Sequence, residues 1–525
     1  MEDTQASIFV STQAHWHGRV LERLKEGTHA GTIQCCDATW FFLSLPLDAG
    51  AYIYGPEDDE HDPTPRMPPL HNPIPLDSKF TLNSAGVAGF FGGEEAISAM
   101  ATVHLYEGRQ WLGWFNSPGS YTIAKGFGRM ANSRFWDGLF PGPNDSPAKT
   151  FGLDGKQGPR YIAALSGTTI MHTRHLAYLT MERSREVKVK KIEGRTTTPF
   201  DVSYLAMKPV PNAAVAKRRS FHNAIVGFIP IIFSVVTCVL CALIYDWFSF
   251  SMILIGIISS GYASLVIGNG KLIIETVREP APGAPPGHGI LIEEDGVVVI
   301  KGEERDVNII TKGRFELKTD SKPVDEEKGN ERRYHAIGLC SLVLLIQFLA
   351  QLLLVPQGTL FGQIMFLISL GVSWGYNSYL SSLEKEKIQT DILFETLGNP
   401  EMLRFRAGTR TTMTVFVCLL LFHGVRCSSP EDARNLRRQT LHECLPNDTT
   451  VWRRWKDKVV KQLVDIDDGS DSLPHLVEDL DDSTLPEPDK KLLNVLLEDA
   501  RAAFTEYFNV RDGLPDDSSH QKKVE

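Results

Sequence analysis

The stretch AIVGFIPIIFSVVTCVLCALIYDWFSFSMILIGIISSGYASLVIG, residues 224–268, decides the class of this protein. Across its 45 residues, Asp246 is the only formally charged side chain. A helix needs about 20 apolar residues to cross a bilayer, so the stretch is long enough for two crossings. It predicts a helical hairpin in a membrane, with helices at 224–245 and 247–268 and its tip at Asp246.

A second stretch, residues 336–380, contains no Asp, Glu, Lys, Arg or His and predicts another hairpin. Pro356 and Gly358 supply a turn between helices at 336–355 and 359–380. The mean hydropathy of the chain, −0.13, is typical of a soluble protein because the apolar residues are concentrated in these two stretches. The alternative, two apolar hairpins in a large soluble core, is disfavoured because such cores rarely need uncharged runs of this length.

The first stretch also contains a Cys-x-x-Cys pair, Cys238 and Cys241. A zinc site needs four ligands and usually a second such pair, and the sequence contains no other Cys-x-x-Cys pair. A redox dithiol needs solvent access and a charge that stabilises the thiolate, which hydrocarbon does not supply. The pair is interpreted as two small apolar residues of a membrane helix. Asp246 is expected at headgroup water, between the interfacial aromatic residues Tyr245 and Trp247.

Basic residues lie at one side of both hairpins. They flank the outer ends of the predicted helices and are missing from the tips: Lys217, Arg218, Arg219, Lys271, Arg332, Arg333, Lys385 and Lys387. Because positive charge marks the cytoplasmic side, both termini and the central loop are expected in the cytosol. The N-terminal residues MEDTQASIFVSTQAH have no apolar core of a cleaved signal, so the first helix is expected to direct insertion.

A shorter apolar run, residues 411–425, leaves the topology of the C-terminus open. As a helix, its 15 residues cover about 22 Å, less than the roughly 30 Å of a bilayer core. It is a re-entrant or interfacial helix, a core helix or a short fifth crossing, and a helix that does not cross is favoured. Only a fifth crossing would make Asn447 a glycosylation site and Cys427 with Cys444 a disulfide.

The predicted fold class is a polytopic α-helical membrane protein with four crossings and soluble regions around them. Residues 1–215 predict a mixed, β-rich cytosolic domain, with strand-like runs such as ATVHLYEG (101–108), QWLGWF (110–115) and SYTIAKGFG (120–128). Residues 269–335 predict a small antiparallel sheet followed by a charged linker. The remaining segments are predicted as follows: a helical region at 381–464, an acidic disordered linker at 465–489, an amphipathic helix at 490–510 and a disordered tail at 511–525.

Three short motifs resemble binding or catalytic signatures without their structural context. Residues 15–22, with His15, His17 and Glu22, have cupin ligand spacing but no second cupin motif. Residues 126–131, GFGRMA, match a dinucleotide fingerprint, but glycine and prolines interrupt the helix that should follow. Residues 371–375, GVSWG, match a serine hydrolase motif inside a predicted membrane helix, where no nucleophile elbow can form. No catalytic residue, metal or cofactor is assigned.

Small residues line one face of two predicted membrane helices, and such faces let helices pack closely, within the bundle or between protomers. They are Gly256, Ser260, Ser264 and Gly268 in the second helix and Gly371 and Gly375 in the fourth. Gln347 and Gln351, one turn apart, form a possible polar face of the third helix. Such amides bond between helices more often than they line a pore.

Three functional hypotheses follow. The favoured one is a non-catalytic scaffolding, binding or regulatory protein that acts through its cytosolic domains. The second is an oligomeric channel or transporter that uses the polar faces of the third and fourth helices, although ionisable residues near the midplane are missing. The third is an enzyme at the membrane surface. The expected partners are the lipid bilayer and other proteins or further copies of the chain, and no feature indicates nucleic acid.

Overall fold

The structure is a computed structural model, and it describes residues 94–131, 134–142, 146–209, 217–218, 220–275, 279–318, 326–425, 427, 429–467 and 485–515. The cupin-like residues His15, His17 and Glu22, most of the acidic linker and the end of the tail lie outside the described residues.

Helices and strands are numbered in chain order. The helices are α1 (Glu94–Met100), α2 (Thr102–Leu105), α3 (Tyr121–Arg129), α4 (Arg134–Leu139), α5 (Pro147–Thr150), α6 (His175–Glu186), α7 (Phe221–Leu243), α8 (Trp247–Gly268), α9 (Glu304–Lys312), α10 (Glu326–Leu354), α11 (Leu360–Ser381), α12 (Lys385–Thr396), α13 (Arg410–Phe422), α14 (Pro430–Cys444), α15 (Thr450–Asp467) and α16 (Glu487–Val510). The strands are β1 (Arg160–Ala163), β2 (Thr169–Ile170), β3 (Val189–Lys191), β4 (Phe200–Ala206), β5 (Lys271–Glu275), β6 (Gly289–Ile292), β7 (Gly296–Lys301), β8 (Arg314–Lys318) and β9 (Met402–Ala407).

Seven strands form one mixed sheet in the order β2-β1-β6-β7-β4-β9-β3. Strand β4, next to the central strand β7, pairs in parallel with β7 and antiparallel with β9. These three strands come from three different segments: one before α7, one between α8 and α10, and one after α11. The two ends of each long-helix hairpin therefore return to the same sheet. Within residues 269–335, β5 and β8 form a small antiparallel sheet of their own, as predicted. Strands β6 and β7 of the same segment pair antiparallel too, but they belong to the seven-stranded sheet.

The two faces of the sheet have different neighbours. On one face, Ile162, Val202 and Val299 pack with apolar residues of α13 to α16. On the other face, Leu205, Leu291 and Ile300 belong to a core that continues into α3, α8 and α10. Alternate residues of a strand point to opposite faces, which explains how single strands serve both cores. The core of the sheet region is thus continuous with the apolar helix bundle.

Three helical segments are long and apolar enough to cross a membrane: His222–Leu243, Trp247–Gly268 and His335–Gln357. These three segments form a bundle with α11. Large apolar side chains cover the outside of the bundle, as expected for a protein in lipid. They include Phe228, Ile229, Ile232, Val235, Val239, Leu254, Ile258, Leu339, Ile346, Leu349, Leu353 and Ile368, all exposed. The mixed helix and sheet content with these helices is compatible with a membrane protein.

Several predicted strands are helices in the structure. Residues 102–105 and 121–129 are α2 and α3, and residues 304–312, predicted to include a strand, are α9. In α3 the buried residues Ile123, Ala124 and Phe127 share one face, which packs on α10. Packing of that face outweighs the strand preference of Tyr, Thr and Ile. The charged linker before the second hairpin is also partly helical, since α10 begins at Glu326.

Candidate functional site

Residues 109–120, here called the inserted segment, enter the bundle formed by α7, α8, α10 and α11. After a 3-10 turn at Arg109–Leu112 the backbone is irregular until α3 begins at Tyr121. Asn116 lies against Gly256 of α8, twelve residues before the end of that helix at Gly268. At 1.5 Å per residue, the segment reaches about 18 Å along α8. The chain then leaves along α10 as α3.

Polar side chains of the long helices satisfy the irregular backbone of the inserted segment. The Asn116 N–H donates to Ser234 Oγ at 2.8 Å, and the Gly119 N–H donates to Gln351 Oε1 at 2.8 Å. Gln347 Nε2 donates to the Ser117 carbonyl at 2.6 Å. Each unsatisfied backbone group in an apolar environment costs free energy. By bonding to these groups, the side chains lower the cost of burying the inserted segment in the bundle. The predicted polar face of Gln347 and Gln351 therefore binds this segment.

The predicted small-residue face of α8 is the surface on which the inserted segment lies. Gly256 contacts Asn116, Gly268 faces Val103 and Gln110, and a Cβ on Gly113 would collide with Ser264. Gly119 is equally tight against α10, because a Cβ there would lie 2.5 Å from Phe348 Cα. Ser260 lines a small cavity beside the segment, described below.

Gly371 and Gly375 of α11 have a different environment. A Cβ built on either one has no neighbouring heavy atom within 4 Å. Among the described residues, this second predicted small-residue face therefore has no packing partner.

Arg109 is buried at the start of the inserted segment, with 5 % of its surface exposed. Its guanidinium carbon lies 5.2 Å from the centre of the Tyr376 ring, within the range of a cation–π contact. Its Nε and Nη1 atoms have no hydrogen-bond partner among the described residues. Arginine keeps its charge in proteins, so a buried cation here lacks part of its usual compensation.

Arg109 lines a cavity of about 30 Å³ between the inserted segment, α8 and α11. Its other polar lining residues are Ser117, Ser260, Ser264 and Asn377, and the remaining lining residues are apolar. None of the described lining residues is acidic. Arg109 was not predictable as a site residue, because the local sequence GRQW resembles an ordinary polar turn.

Asp246 lies at the predicted tip, but it is buried there. It caps α8 by accepting hydrogen bonds from the N–H and hydroxyl of Ser249, at 3.1 and 3.0 Å. It also accepts from the N–H and hydroxyl of Thr359, at 2.8 and 2.7 Å. With 3 % of its surface exposed, Asp246 joins the two hairpin tips instead of facing headgroup water. This role was missed because it depends on a residue 113 positions away.

The short apolar run forms α13, which packs against the sheet and α16. Every residue from Thr411 to Phe422 is buried. Asn447, after α14, is exposed, and Cys427 and Cys444 are free thiols. The apolar stripe of the last helix, including Leu493 and Phe504, is buried in the same core.

The motif look-alikes do not form sites in the described residues. Gly126 and Gly128 lie within α3, where no phosphate-binding turn exists. Ser373 lies in the middle of α11, so it is not on a nucleophile elbow. The residues that the structure describes contain no cluster of His, Cys, Asp and Glu suited to a metal ion.

A second polar cluster lies between α6 and α12, outside the long helices. Glu386 pairs with Lys156 at 2.5 Å and accepts a hydrogen bond from the Tyr178 hydroxyl at 2.9 Å. Nearby, burial raises the pKa of Asp154 and lowers the pKa of His175, because desolvation disfavours the charged form of each. Their mutual attraction opposes both shifts. The cluster is a polar contact between α6 and α12. It contains no nucleophile placed beside a base.

Comparison with protein-family models, with curated proteins and with solved structures finds no match for this chain.

Proposed function

We propose that the chain is a four-crossing membrane protein that does not conduct, and that it serves as a binding or regulatory protein. The fourth crossing would be α11, whose 22 residues pair with α7 in the same bundle. Its buried face includes Gln363, Ser369, Ser373 and Asn377. These polar residues make α11 less apolar overall than the other three, although Ile368 on its outside is exposed.

The proposed orientation places the sheet in the cytosol. The sheet collects strands from all three segments that flank the hairpins, which supports a common side for them. Lys217, Arg218, Lys271, Lys385 and Lys387 lie on that side, and positive charge favours the cytoplasm. Because α13 is buried against the sheet, it is proposed not to cross, and the C-terminal helices then belong to the cytosolic domain.

The observation that carries the non-conducting function is the inserted segment. It occupies the space between the four long helices, and it bonds to one amide atom each of Gln347 and Gln351, the polar groups that the channel hypothesis would place along a pore. The cavity left beside it, about 30 Å³, is too small for a continuous water path. The bundle therefore anchors and supports the cytosolic domain, whose core continues into it. An oligomeric channel remains the second hypothesis because each protomer contributes the open Gly371 and Gly375 face.

The experiment combines flux and topology. Full-length protein in liposomes should release ions and small solutes no faster than empty liposomes. The double variant Gln347→Leu/Gln351→Leu should be less stable and should also give no specific flux. Wild-type flux that disappears in the double variant would instead establish the channel hypothesis.

Topology is tested in microsomes with the native Asn447 sequon and a C-terminal tag. The proposal expects no glycan at Asn447 and a protease-accessible tag. Asn447 is exposed, so burial would not explain a missing glycan. A glycosylated Asn447 with a protected tag would overturn the proposed side of the C-terminal helices.

A further inference from the structure

We infer that the cavity beside Arg109 is a binding site for one small inorganic anion, of the size of chloride. The inference concerns occupancy of this cavity and holds whether or not the bundle conducts.

The first step is the charge. The Arg109 side chain is almost fully buried, and its Nε and Nη1 N–H groups have no protein acceptor among the described residues. In the described part of the chain Tyr376 is the ionisable neighbour that acts on Arg109, through its ring and as a hydrogen-bonding hydroxyl, and tyrosine brings no negative charge at ordinary pH. A buried charge is normally paired because loss of hydration is costly. The described residues therefore supply no negative partner at this position.

The second step is the lining of the cavity. Ser260 of α8 and Asn377 of α11 bring a hydroxyl and an amide to the same cavity as Arg109, and Ser264, whose hydroxyl donates to Met100 Sδ at 3.9 Å, lines it as well. Hydroxyl and amide hydrogens can all be donated to an anion. The Ser117 carbonyl, the nearby acceptor that would repel an anion, is already bonded to Gln347. With no acidic lining residue, the cavity suits an anion better than a cation.

The third step is size. A cavity of about 30 Å³ accommodates a water molecule or a monatomic ion. It is too small for a phosphate ester, a nucleotide or a lipid headgroup. A water molecule would satisfy hydrogen bonds but would leave the charge uncompensated. A halide ion accepts the hydrogen bonds and also compensates the charge. Chloride is therefore the assigned occupant.

The test uses full-length protein in detergent, with chloride exchanged for gluconate at constant ionic strength. Ligand that binds only the folded state raises Tm progressively with its concentration. Wild type should show a Tm that rises with chloride, whereas Arg109→Gln should show a Tm that does not respond. Arg134→Gln, at an exposed arginine in α4, is the matched control and should respond as wild type does.

A second measurement covers the case in which Arg109→Gln does not fold. Wild-type crystals grown in bromide should show an anomalous scattering peak within the cavity. A wild-type Tm that is equal in chloride and gluconate, together with an empty or water-filled cavity in bromide, would overturn the inference. Stabilisation by phosphate but not by chloride would overturn it as well, since a larger anion would then be the ligand.

Discussion

Asp246 and Thr359 connect the tips of the two helical hairpins. The Asp246 carboxylate accepts hydrogen bonds from both the backbone N–H and the hydroxyl of Thr359, at 2.8 and 2.7 Å. Thr359 in turn caps α11 through the Gly362 N–H. One buried carboxylate thus fixes the start of α8 and the start of α11 relative to each other.

Asp246→Ala should therefore loosen both tips. Hydrogen bonds to a charged group contribute about 1.5–3 kcal/mol, so we expect a loss of that order in the free energy of unfolding. Asp246→Asn, which retains one acceptor oxygen, should lose less. Thermal unfolding in detergent measures both, with Tyr245→Phe at the exposed tip as control. An Asp246→Ala protein as stable as Tyr245→Phe would contradict a joining role.

Gly119→Ala tests the close fit of the inserted segment. The new Cβ would lie 2.5 Å from Phe348 Cα and N, which are backbone atoms that cannot move aside by rotation of a side chain. Overpacking of this kind costs about 1–3 kcal/mol. Gly371→Ala is the control, because a Cβ there meets no atom within 4 Å. Equal Tm values for the two variants would show that the segment does not pack as described.

Gln351→Met removes both polar atoms of the Gln351 amide and keeps a side chain of similar shape. The change leaves the Gly119 N–H without its acceptor, a loss of about 1–3 kcal/mol. It also removes Gln351 Nε2, which has no partner among the described residues, and this offsets part of the loss. We expect a net loss of about 1 kcal/mol. Leu353→Val, on the exposed side of α10, should leave Tm unchanged in the same denaturation assay.

His175 and Asp154 should affect stability in acid with opposite signs. The pKa of His175 is lowered in the folded state, so its contribution is present above about pH 6.5 and is lost as pH falls through the folded pKa. The pKa of Asp154 is raised, so its folded form gains stability as pH falls through that pKa. Between pH 7.5 and 3.8, the ordinary pKa of an aspartate, His175→Gln should lose less stability than wild type, and Asp154→Asn should lose more. Denaturant midpoints across this range test both, and parallel curves for all three proteins would refute the assignment.

The thiols of Cys444 in α14 and of Cys427 before this helix should differ in reactivity. Burial raises the pKa of Cys444 to about 12, so its thiolate is scarce at neutral pH. Cys427 is only partly buried and should react first with iodoacetamide in the native protein. Peptide mapping by mass spectrometry gives the order, and Cys427→Ser should remove the early label. Early labelling of Cys444, or an intact Cys427–Cys444 disulfide, would argue against a reduced, closely packed domain.

The long helices were predictable because the uncharged runs alone determine them. The prediction of 247–268 coincides with α8, and 359–380 differs from α11 by one residue at each end. Local composition is enough to predict such helices, since an uncharged apolar run of this length is typical of a membrane-crossing helix and of few other structures. Single strands such as β6 and β7 were also recognisable from their β-branched residues.

The inserted segment and its arginine were not predictable in the same way. Residues 110–115 contain Trp, Leu and Phe and locally favour a strand. The residues that follow, Asn116, Ser117 and Gly119, bond instead to Ser234, Gln347 and Gln351, more than 100 positions away. The order of the sheet has the same origin, because β4 pairs with strands from two later segments. Periodicity describes one element at a time and does not identify such distant partners.

The position of β4 in the sheet has a consequence for synthesis on the ribosome. Both of its neighbours are made after it: one helical hairpin separates β4 from β7 at 296–301, and two hairpins separate it from β9 at 402–407. One edge of β4 must therefore wait for β7, and the other edge stays unpaired until the second hairpin and β9 have been made. Unpaired strand edges invite association with other chains, and distant pairing slows folding. Nascent chains that stop before residue 402 should consequently need chaperone protection that the finished protein does not.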